Sequence, residues 1–418
     1  MPLASDPRYA WDTMQCDLLV HDLSRLYTLD PSQAGLGELR QVSIGFLDGA
    51  LAYLGPSSEA PAADEVLDGR GLLGLPGLVD CHTHAVWAGS RADEFALRLS
   101  GVDYSEILEG GGGILSTVEA TRSADRETLV STTTARLSGL RARGVTTVEV
   151  KSGYGLNPAA EAKLLRAAKA CESTVRIHPT FLGAHTVPAE FRGDRAAYVR
   201  QIIEEQLPLV CGDPALARHV DVYCDRGAFT LDESMSILEA GQRMGLAVRA
   251  HAEQVTFTGI AAAAAQLGAT CVDHLERLDD AGVATLAEHG TVAVLLPGAQ
   301  LYLRDSSPPV AALREAGVPM AVASDLNPGS SPVHDLWACA TLACVNQGLT
   351  IDEAVLGITR NAGRALGRVD LGWIGPDSVA DLAVFAPPPG EPPSVESLVQ
   401  HLAGHHARIV VRDGRRVL

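Results

Sequence analysis

Eight short apolar runs of β type alternate with helical segments between residues 72 and 323, and this alternation constrains the fold more than any other feature. Helical segments end in glycine at several points, as helix C-termini often do. Strands that alternate with helices form parallel sheets, and eight repeats predict a closed (β/α)8 TIM barrel within the α/β class. The runs cover residues 72–79, 145–151, 175–182, 219–224, 246–250, 270–273, 291–296 and 318–323.

Shorter runs of β type at both ends of the chain predict a second, smaller domain. They lie at 16–20, 42–46 and 51–54 before the barrel and at 381–385 and 407–411 after it, with a hairpin-like turn at 412–415. We expect the two ends to form one β-sandwich-like domain. The expected boundaries are 1–71 for its N-terminal part, 72–368 for the barrel and 369–418 for its C-terminal part.

Charge and cysteine content narrow the class of protein. The formal net charge of −18 disfavours nucleic acid as a partner, because phosphates require a basic surface. The eight cysteines are scattered without a Cys-x-x-Cys pair, which fits reduced thiols and a cytoplasmic location. No apolar stretch approaches the roughly 20 residues needed to cross a bilayer, so no membrane association is expected.

Polar residues follow the predicted barrel strands, where TIM-barrel enzymes carry their catalytic groups. His82 and His84 come two residues apart after the first run, so both side chains point to one side of an extended chain. Such a pair fits hydrogen bonding in a loop as well as metal binding, but His251, His274 and Asp325 follow later strands. The predicted ligands are His82, His84, His251 and Asp325, a set that suits zinc or a similar metal.

These residues match the pattern of the metal-dependent amidohydrolase superfamily, and longer strings resemble the imidazolonepropionase family within it. The strings lie at 82–95, 110–117, 149–156 and 324–331, and the resemblance covers nearly the whole chain. It implies an amidohydrolase-type barrel that hydrolyses the ring amide C–N bond of 4-imidazolone-5-propanoate to N-formimidoyl-L-glutamate, the third step of histidine degradation. It also implies one metal per subunit, Zn²⁺ or Fe²⁺/Fe³⁺, and a homodimer.

The resemblance assigns roles to individual residues. Metal-bound hydroxide would attack the ring carbonyl, with Asp325 as proton shuttle and His274 as polariser or base. Arg91 would bind the propanoate carboxylate in a bidentate fork, supported by Glu94. The other expected substrate contacts are Tyr154, His185, Gln254, Asn327, Gly329, Ser330 and Tyr104.

Two positions bear on proton transfer and on the number of metals. Some relatives carry a water-activating glutamate three residues beyond the metal histidine, whereas Gln254 stands here and an amide cannot act as a base. Proton transfer is therefore expected to fall on Asp325 and His274. Lys151 follows the second strand, and its place in the 149–156 string favours one metal with Lys151 structural or orienting.

Two other functions stay open. Another amidohydrolase, such as a purine or triazine aminohydrolase, would share the metal site, although Arg91, Tyr154 and residues 327–331 argue against it. A non-catalytic scaffold like the relatives of the dihydropyrimidinases would have lost metal ligands, whereas this chain keeps all of them.

Overall fold

The computed structural model describes residues 15–101, 112–213 and 216–418. Its strands are β1 (Cys16–Tyr27), β2 (Glu38–Leu47), β3 (Ala50–Pro56), β4 (Ala63–Asp68), β5 (Leu73–Pro76), β6 (Leu78–Asp80), β7 (Val145–Lys151), β8 (Arg176–Ala184), β9 (His219–Val222), β10 (Ala247–Ala252), β11 (Cys271–His274), β12 (Val292–Leu295), β13 (Met320–Val322), β14 (Leu382–Phe385), β15 (Ala407–Arg412) and β16 (Arg415–Arg416). Its α-helices are Ala92–Leu99, Ile114–Ser123, Arg126–Arg141, Pro158–Ala170, Arg195–Gln201, Leu207–Cys211, Leu231–Arg243, Ile260–Gln266, Asp280–His289, Pro297–Leu303, Val310–Glu315, Leu336–Leu342, Ile351–Gly357, Arg360–Ala365 and Val395–Gln400.

Strands β6 to β13 form one parallel sheet in which neighbours follow the order of the chain. The first and last strands meet just beyond their carboxyl ends through a parallel bridge between Thr83 and Leu326. Two hydrogen bonds make this seam, from Asp325 N to His82 O at 3.0 Å and from His84 N to Leu326 O at 3.0 Å. The predicted (β/α)8 barrel is confirmed, and its closure lies among the candidate metal ligands.

The first predicted barrel strand, 72–79, is wrong as a single element. Its first half, β5, pairs with β1 and β14 of the small sheet, and only its second half, β6, pairs with β7 in the barrel. Gly77 separates them, and a Cβ there would overlap the Thr146 side chain. Both halves are buried, so hydrophobicity alone does not show that the chain changes sheet. The chain therefore passes from the small sheet to the barrel at Gly77, and the domain boundary at 71/72 stays a prediction.

The two chain ends together form the second sheet, as predicted. Its strand order is β16-β15-β14-β5-β1-β2-β3, with β4 paired to β1. The sheet curls so that side chains from distant strands, such as Leu18, Ile44 and Val411, share one apolar cluster. The predicted turn at 412–415 joins β15 to β16, with Asp413 and Gly414 at positive φ. Strand β4 was not predicted, because its residues are mostly exposed and acidic.

The helices begin and end where local chemistry favours it. Asp125, Asn157 and Asp279 each accept a hydrogen bond from the backbone N–H three residues on, and Thr230 forms a capping box with Glu233. These caps satisfy backbone N–H groups that would otherwise lack partners at the helix starts. No helix in the described ranges has the length and apolar character that a bilayer crossing requires.

Candidate active site

Five buried side chains meet at the carboxyl ends of the barrel strands. His82 and His84 follow β6, His251 lies in β10, His274 ends β11, and Asp325 follows β13. His82 Nε2 and His84 Nε2 lie 3.4 and 3.5 Å from Asp325 Oδ1, and His84 Nε2 lies 3.3 Å from His251 Nε2. Ligands at zinc distances of 2.0–2.1 Å in a tetrahedron stand about 3.4 Å apart. The atoms are therefore spaced as metal ligands are.

The chemistry of these donors also fits a metal. Burial holds the pKa values of His82, His84 and His274 well below the ordinary range, so these imidazoles are neutral and keep a lone pair. His82 Nε2 is buried and has no hydrogen-bond partner among the described residues. His82 belongs to two possible ligand groups, one with His84 and Asp325 and one with His251 and His274.

Two buried carboxylates lie beside the metal-facing imidazoles. Asp221 Oδ1 lies 3.1 Å from His251 Nδ1 and accepts its hydrogen bond. A carboxylate that accepts from Nδ1 directs Nε2 toward the metal and makes it a stronger donor. Asp273 Oδ2 lies 3.1 Å from His82 Nδ1, close enough for charge attraction but without a hydrogen bond. Neither Asp221 nor Asp273 was predicted from the sequence.

An ion network without solvent exposure lies beneath the ligands. Lys151 Nζ pairs with Glu149 at 3.0 Å and with Asp221 at 2.8 Å. Arg249 binds both oxygens of Asp273 at 3.0 Å and lies 3.4 Å from Glu149. Two cations thus face three carboxylates, which leaves a formal charge of −1 in the network, and Lys151 is engaged as an ion-pair partner. The sequence carries a signal for this network: Glu149 and Lys151 stand two residues apart on β7, as Arg249 and His251 do on β10, so each pair faces the barrel interior.

A buried carboxyl group ties the first barrel strand to the segment before Asp325. Asp80 accepts hydrogen bonds from Ser324 N at 3.1 Å and Ser324 Oγ at 2.5 Å. Burial raises the pKa of Asp80 to about 7. The contact holds the two ligand-bearing segments at a fixed spacing.

Backbone strain is concentrated at the same residues. His274, Leu275 and Asp325 have φ values of 79°, 75° and 50°, a region that costs non-glycine residues about 1–3 kcal/mol each. The fold tolerates unfavourable backbone angles in order to aim His274 and Asp325.

Glu276, also buried, lies 3.9 Å from His274 Nδ1, and burial raises its pKa to about 8.

A cavity of about 930 Å³ opens above these groups. His82 lies beneath it, whereas His84 and His251 face it. Tyr104 lies outside the described residues. The lining brings together all the other predicted catalytic and substrate-binding residues, namely Arg91, Tyr154, His185, Gln254, His274, Asp325, Asn327, Gly329 and Ser330.

Tyr154 and His185 form one wall of the cavity. His185 Nδ1 donates to Gly153 O at 2.9 Å, and its ring stacks on His84 with centroids 4.9 Å apart. Burial lowers the pKa of His185 to about 3 and raises the pKa of Tyr154. The wall therefore offers a neutral imidazole acceptor, Nε2, and a neutral phenol.

Glu161, which was not predicted from the sequence, holds the loop that carries this wall. Its buried carboxylate accepts hydrogen bonds from Gly153 N at 2.9 Å and from Gly155 N and Leu156 N at 2.7 Å. These three donors flank Tyr154 and include the glycine that binds His185. One sequence feature could have indicated this role: Glu161 lies in the first turn of the helix Pro158–Ala170, which follows the loop.

The opposite wall carries Arg91. Its Nε and Nη2 bind the two oxygens of Glu94 at 2.8 and 2.5 Å, and Glu94 also accepts from Gly113 N at 2.9 Å. The guanidinium packs over the Cα of Gly329 so closely that a Cβ there would overlap it. Glu94 therefore holds the Arg91 guanidinium in place, as expected of a supporting partner.

Asn327 organises the loop that meets Arg91. Its Oδ1 accepts from Gly329 N and Ser330 N, both at 2.8 Å, and its Nδ2 donates to Asp325 O at 2.7 Å. The side-chain amide is therefore engaged inside the loop, where it couples Asp325 to Gly329 and Ser330.

The end of β10 supplies no second carboxylate to the cavity. Gln254 lines it, whereas the neighbouring Glu253, at φ 49°, turns away and accepts from Gly259 N at 2.7 Å and Ala261 N at 3.1 Å. Among the described lining residues the carboxylates are Glu94, which is bound to Arg91, and Asp325.

Comparisons with known proteins agree with this geometry. The sequence profile of the amidohydrolase family matches residues 73–417. The imidazolonepropionase of Shewanella baltica is 46% identical over 374 residues, which are 86% of this chain and 89% of the relative. That of Ralstonia nicotianae is 47% identical over 367 residues, 86% of this chain and 90% of the relative.

Solved structures show the same fold at low sequence identity. A triazine hydrolase variant has a TM-score of 0.78 at 17% identity, covering 96% of this chain and 94% of its own. A zinc-bound adenosine deaminase from Xanthomonas campestris has a TM-score of 0.71 at 18% identity, covering 97% and 94%. The residues grouped around His82 and the family match together support a metal in this site. The chain belongs to the amidohydrolase family and, within it, to the imidazolonepropionases.

Proposed function

We propose that this enzyme hydrolyses the ring amide C–N bond of 4-imidazolone-5-propanoate and releases N-formimidoyl-L-glutamate. The observation that carries the proposal is one cavity with two unlike ends. Neutral imidazoles and Asp325 converge at its inner end, and the Arg91 guanidinium lines its wall. A ring amide with an anionic side chain matches both ends at once.

The inner end supports hydrolysis. His82, His84, His251 and Asp325 would hold the metal, which when bound supplies Lewis-acid activation of water and of a carbonyl group. Among the described lining residues, Asp325 is the carboxylate that no guanidinium binds, so it is available for proton transfer. It takes the proton of the attacking water and delivers it to the ring nitrogen as the C–N bond breaks. His274 lies beside the ligands and polarises the carbonyl oxygen.

The walls orient the ring. Arg91 attracts the propanoate carboxylate, and Tyr154 and His185 offer a phenol and a neutral imidazole to the polar edge of the ring. Gln254 contacts substrate or water, and Gly329 and Ser330 close the side of the cavity next to Arg91. Tyr104 stays a predicted contact. The product gains a second carboxylate where the ring carbonyl was, so charge repulsion between the two acidic ends favours its release.

Metal identity, assembly and location complete the proposal. Imidazole and carboxylate ligands accept both zinc and iron, so either Zn²⁺ or Fe²⁺/Fe³⁺ would serve. Metal analysis of the purified chain would identify the ion, and light scattering would test the predicted homodimer. The cytoplasmic location stays a prediction from composition.

The decisive experiment measures ring opening directly. Purified enzyme with stoichiometric metal should remove the ultraviolet absorbance of the imidazolone and produce N-formimidoyl-L-glutamate, identified by mass spectrometry. Full activity after rigorous metal removal would contradict the mechanism. Turnover of a purine or triazine amine in preference to the imidazolone would instead favour the alternative aminohydrolase function.

A further inference from the structure

A second arginine shares the face of the cavity that carries Arg91. Arg98 lies in the last turn of the helix Ala92–Leu99, seven residues and about two turns beyond the N-cap residue Arg91, so both side chains project to one side. Arg98 Nη2 donates to Gly329 O at 3.0 Å, and the Arg91 guanidinium packs over the Cα of the same glycine. Two guanidinium groups therefore converge on Gly329 at the cavity wall.

The charges at this point do not balance. Glu94 is bound through both oxygens to the Nε and Nη2 of Arg91, which commits the bidentate edge of that guanidinium. Arg98 has no ion-pair partner within residues 15–101, 112–213 and 216–418, and its Nε is buried without a hydrogen-bond acceptor there. A buried donor without an acceptor is costly, and two cations beside one carboxylate leave an excess positive charge. Within the part of the chain that the structure describes, this pair of arginines lacks one anion.

The chemistry of the missing anion follows from its surroundings. Arg98 and Arg91 both line the cavity that leads to the metal ligands, so an anion bound between them is part of whatever occupies that cavity. The protein as a whole carries a formal charge of −18, so the overall field does not attract anions and the arginines that line the cavity must do so. A carboxylate attached to the reacting ring by a short chain meets the requirement.

We propose that Arg98 is a second carboxylate-binding residue, which grips the propanoate group together with Arg91 and selects substrates with an anionic side chain. The inference rests on the proposed function and refines it. Arg91 is committed to Glu94 through its fork, and Arg98 supplies the unpaired guanidinium edge that a carboxylate needs. A side chain at position 329 would overlap the Arg91 guanidinium, and the carbonyl oxygen of Gly329 accepts from Arg98.

The test compares the natural substrate with the same ring bearing a neutral propanamide. For the carboxylate, Arg98→Gln should raise KM and lower kcat/KM by about 10- to 100-fold, the loss expected for charge-assisted hydrogen bonds. For the propanamide, kcat/KM should change less than about threefold, since no charge is lost. Arg98→Lys should recover part of the loss. The surface variant Arg243→Gln, outside the cavity lining, removes a positive charge and should behave as wild type.

Equal losses on both substrates would overturn the proposal, because they would mean that Arg98 only supports the Gly329 loop. Calorimetric binding of 3-(imidazol-4-yl)propanoate, which has no ring carbonyl to hydrolyse, separates this inference from the proposed activity. If wild type fails to open the imidazolone but binds this probe more tightly than Arg98→Gln does, the activity fails and the Arg98 site stands. If wild type does not bind the probe, or binds it no better than the variant, the Arg98 site is refuted.

Discussion

The inner and outer ends of the cavity are built from different parts of the fold. At the inner end, His82, His251 and Asp325 lie on or directly after barrel strands and rest on a fully buried ion network. At the outer end, Arg91 and Gly329 lie on a helix start and a loop, and each is held by local hydrogen bonds. Hydrogen bonds between barrel strands fix the positions of the reacting groups. The helix start and the loop at the outer end would determine which substrate side chain is accepted. The two ends can therefore change independently of each other.

The largest effect should come from removing the proton shuttle at the inner end. Asp325→Ala should lower kcat by at least about 10³-fold, since it removes both an acid–base group and a metal ligand. KM should change little, because the outer end is untouched, and the melting temperature should stay close to that of wild type. Steady-state kinetics with thermal unfolding checks this. A large rise in KM would show that the two ends are coupled through Asn327.

The next effect belongs to the outer end. Arg91→Ala should lower kcat/KM by about 100-fold, mainly through KM, because one of the two guanidinium charges that attract the carboxylate is lost. Arg91→Lys should recover little, since lysine cannot reproduce the fork that binds Glu94. An unchanged kcat/KM for Arg91→Ala would place the carboxylate elsewhere. The propanamide substrate serves as the matched control and should be nearly insensitive to the change.

A smaller effect is expected from the residue that orients His251. Asp221→Asn should weaken metal affinity by about 10- to 100-fold, because the amide no longer draws the Nδ1 proton of His251. It should also destabilise the fold, since Lys151 loses one of its charged partners in a dry interior. Chelator competition and thermal unfolding measure the two losses. Excess metal should restore activity but not the full melting temperature.

The smallest effect tests the wall between the two ends. Glu161→Gln should lower kcat/KM by about tenfold, because an amide NH₂ would face backbone N–H donors and release the loop that positions Tyr154 and His185. Metal content should be unchanged, as none of the ligands belongs to this loop. Loss of metal in this variant would contradict the division between chemistry and positioning. Elemental analysis alongside kinetics decides the matter.

The sequence predicts strands and strand ends well because both depend on local pattern. Residues 145–151 were expected as a strand and are β7, and His274 does end β11. Hydrophobicity could not separate β5 from β6, because both are buried and only pairing distinguishes their sheets. The partners of the histidines were equally hidden. Asp221 and Asp273 can be seen in the sequence as acidic residues within apolar strands. Which histidine each one contacts depends on the stagger of neighbouring strands, which the sequence does not show.

The contacts at the outer end of the cavity were harder to predict from the sequence. The role of Arg91 was predicted from the family resemblance. Arg98 could have been predicted as well, because it stands seven residues, about two helical turns, after Arg91. What the sequence could not show is that Glu94 occupies the fork of Arg91, since that depends on rotamers and on the close approach of Gly329.

The seam between Thr83 and Leu326 has a consequence for biosynthesis. During translation His82 and His84 leave the ribosome more than two hundred residues before Asp325 does. The complete ligand set, and the hydrogen bonds that hold its first and last members together, exist only once three quarters of the chain has been made. Until then His82 and His84 are only half of the proposed ligand set. Completion of the metal site therefore depends on closure of the barrel, and a chain that ended before Asp325 would lack both the last ligand and the seam that holds the first two in place.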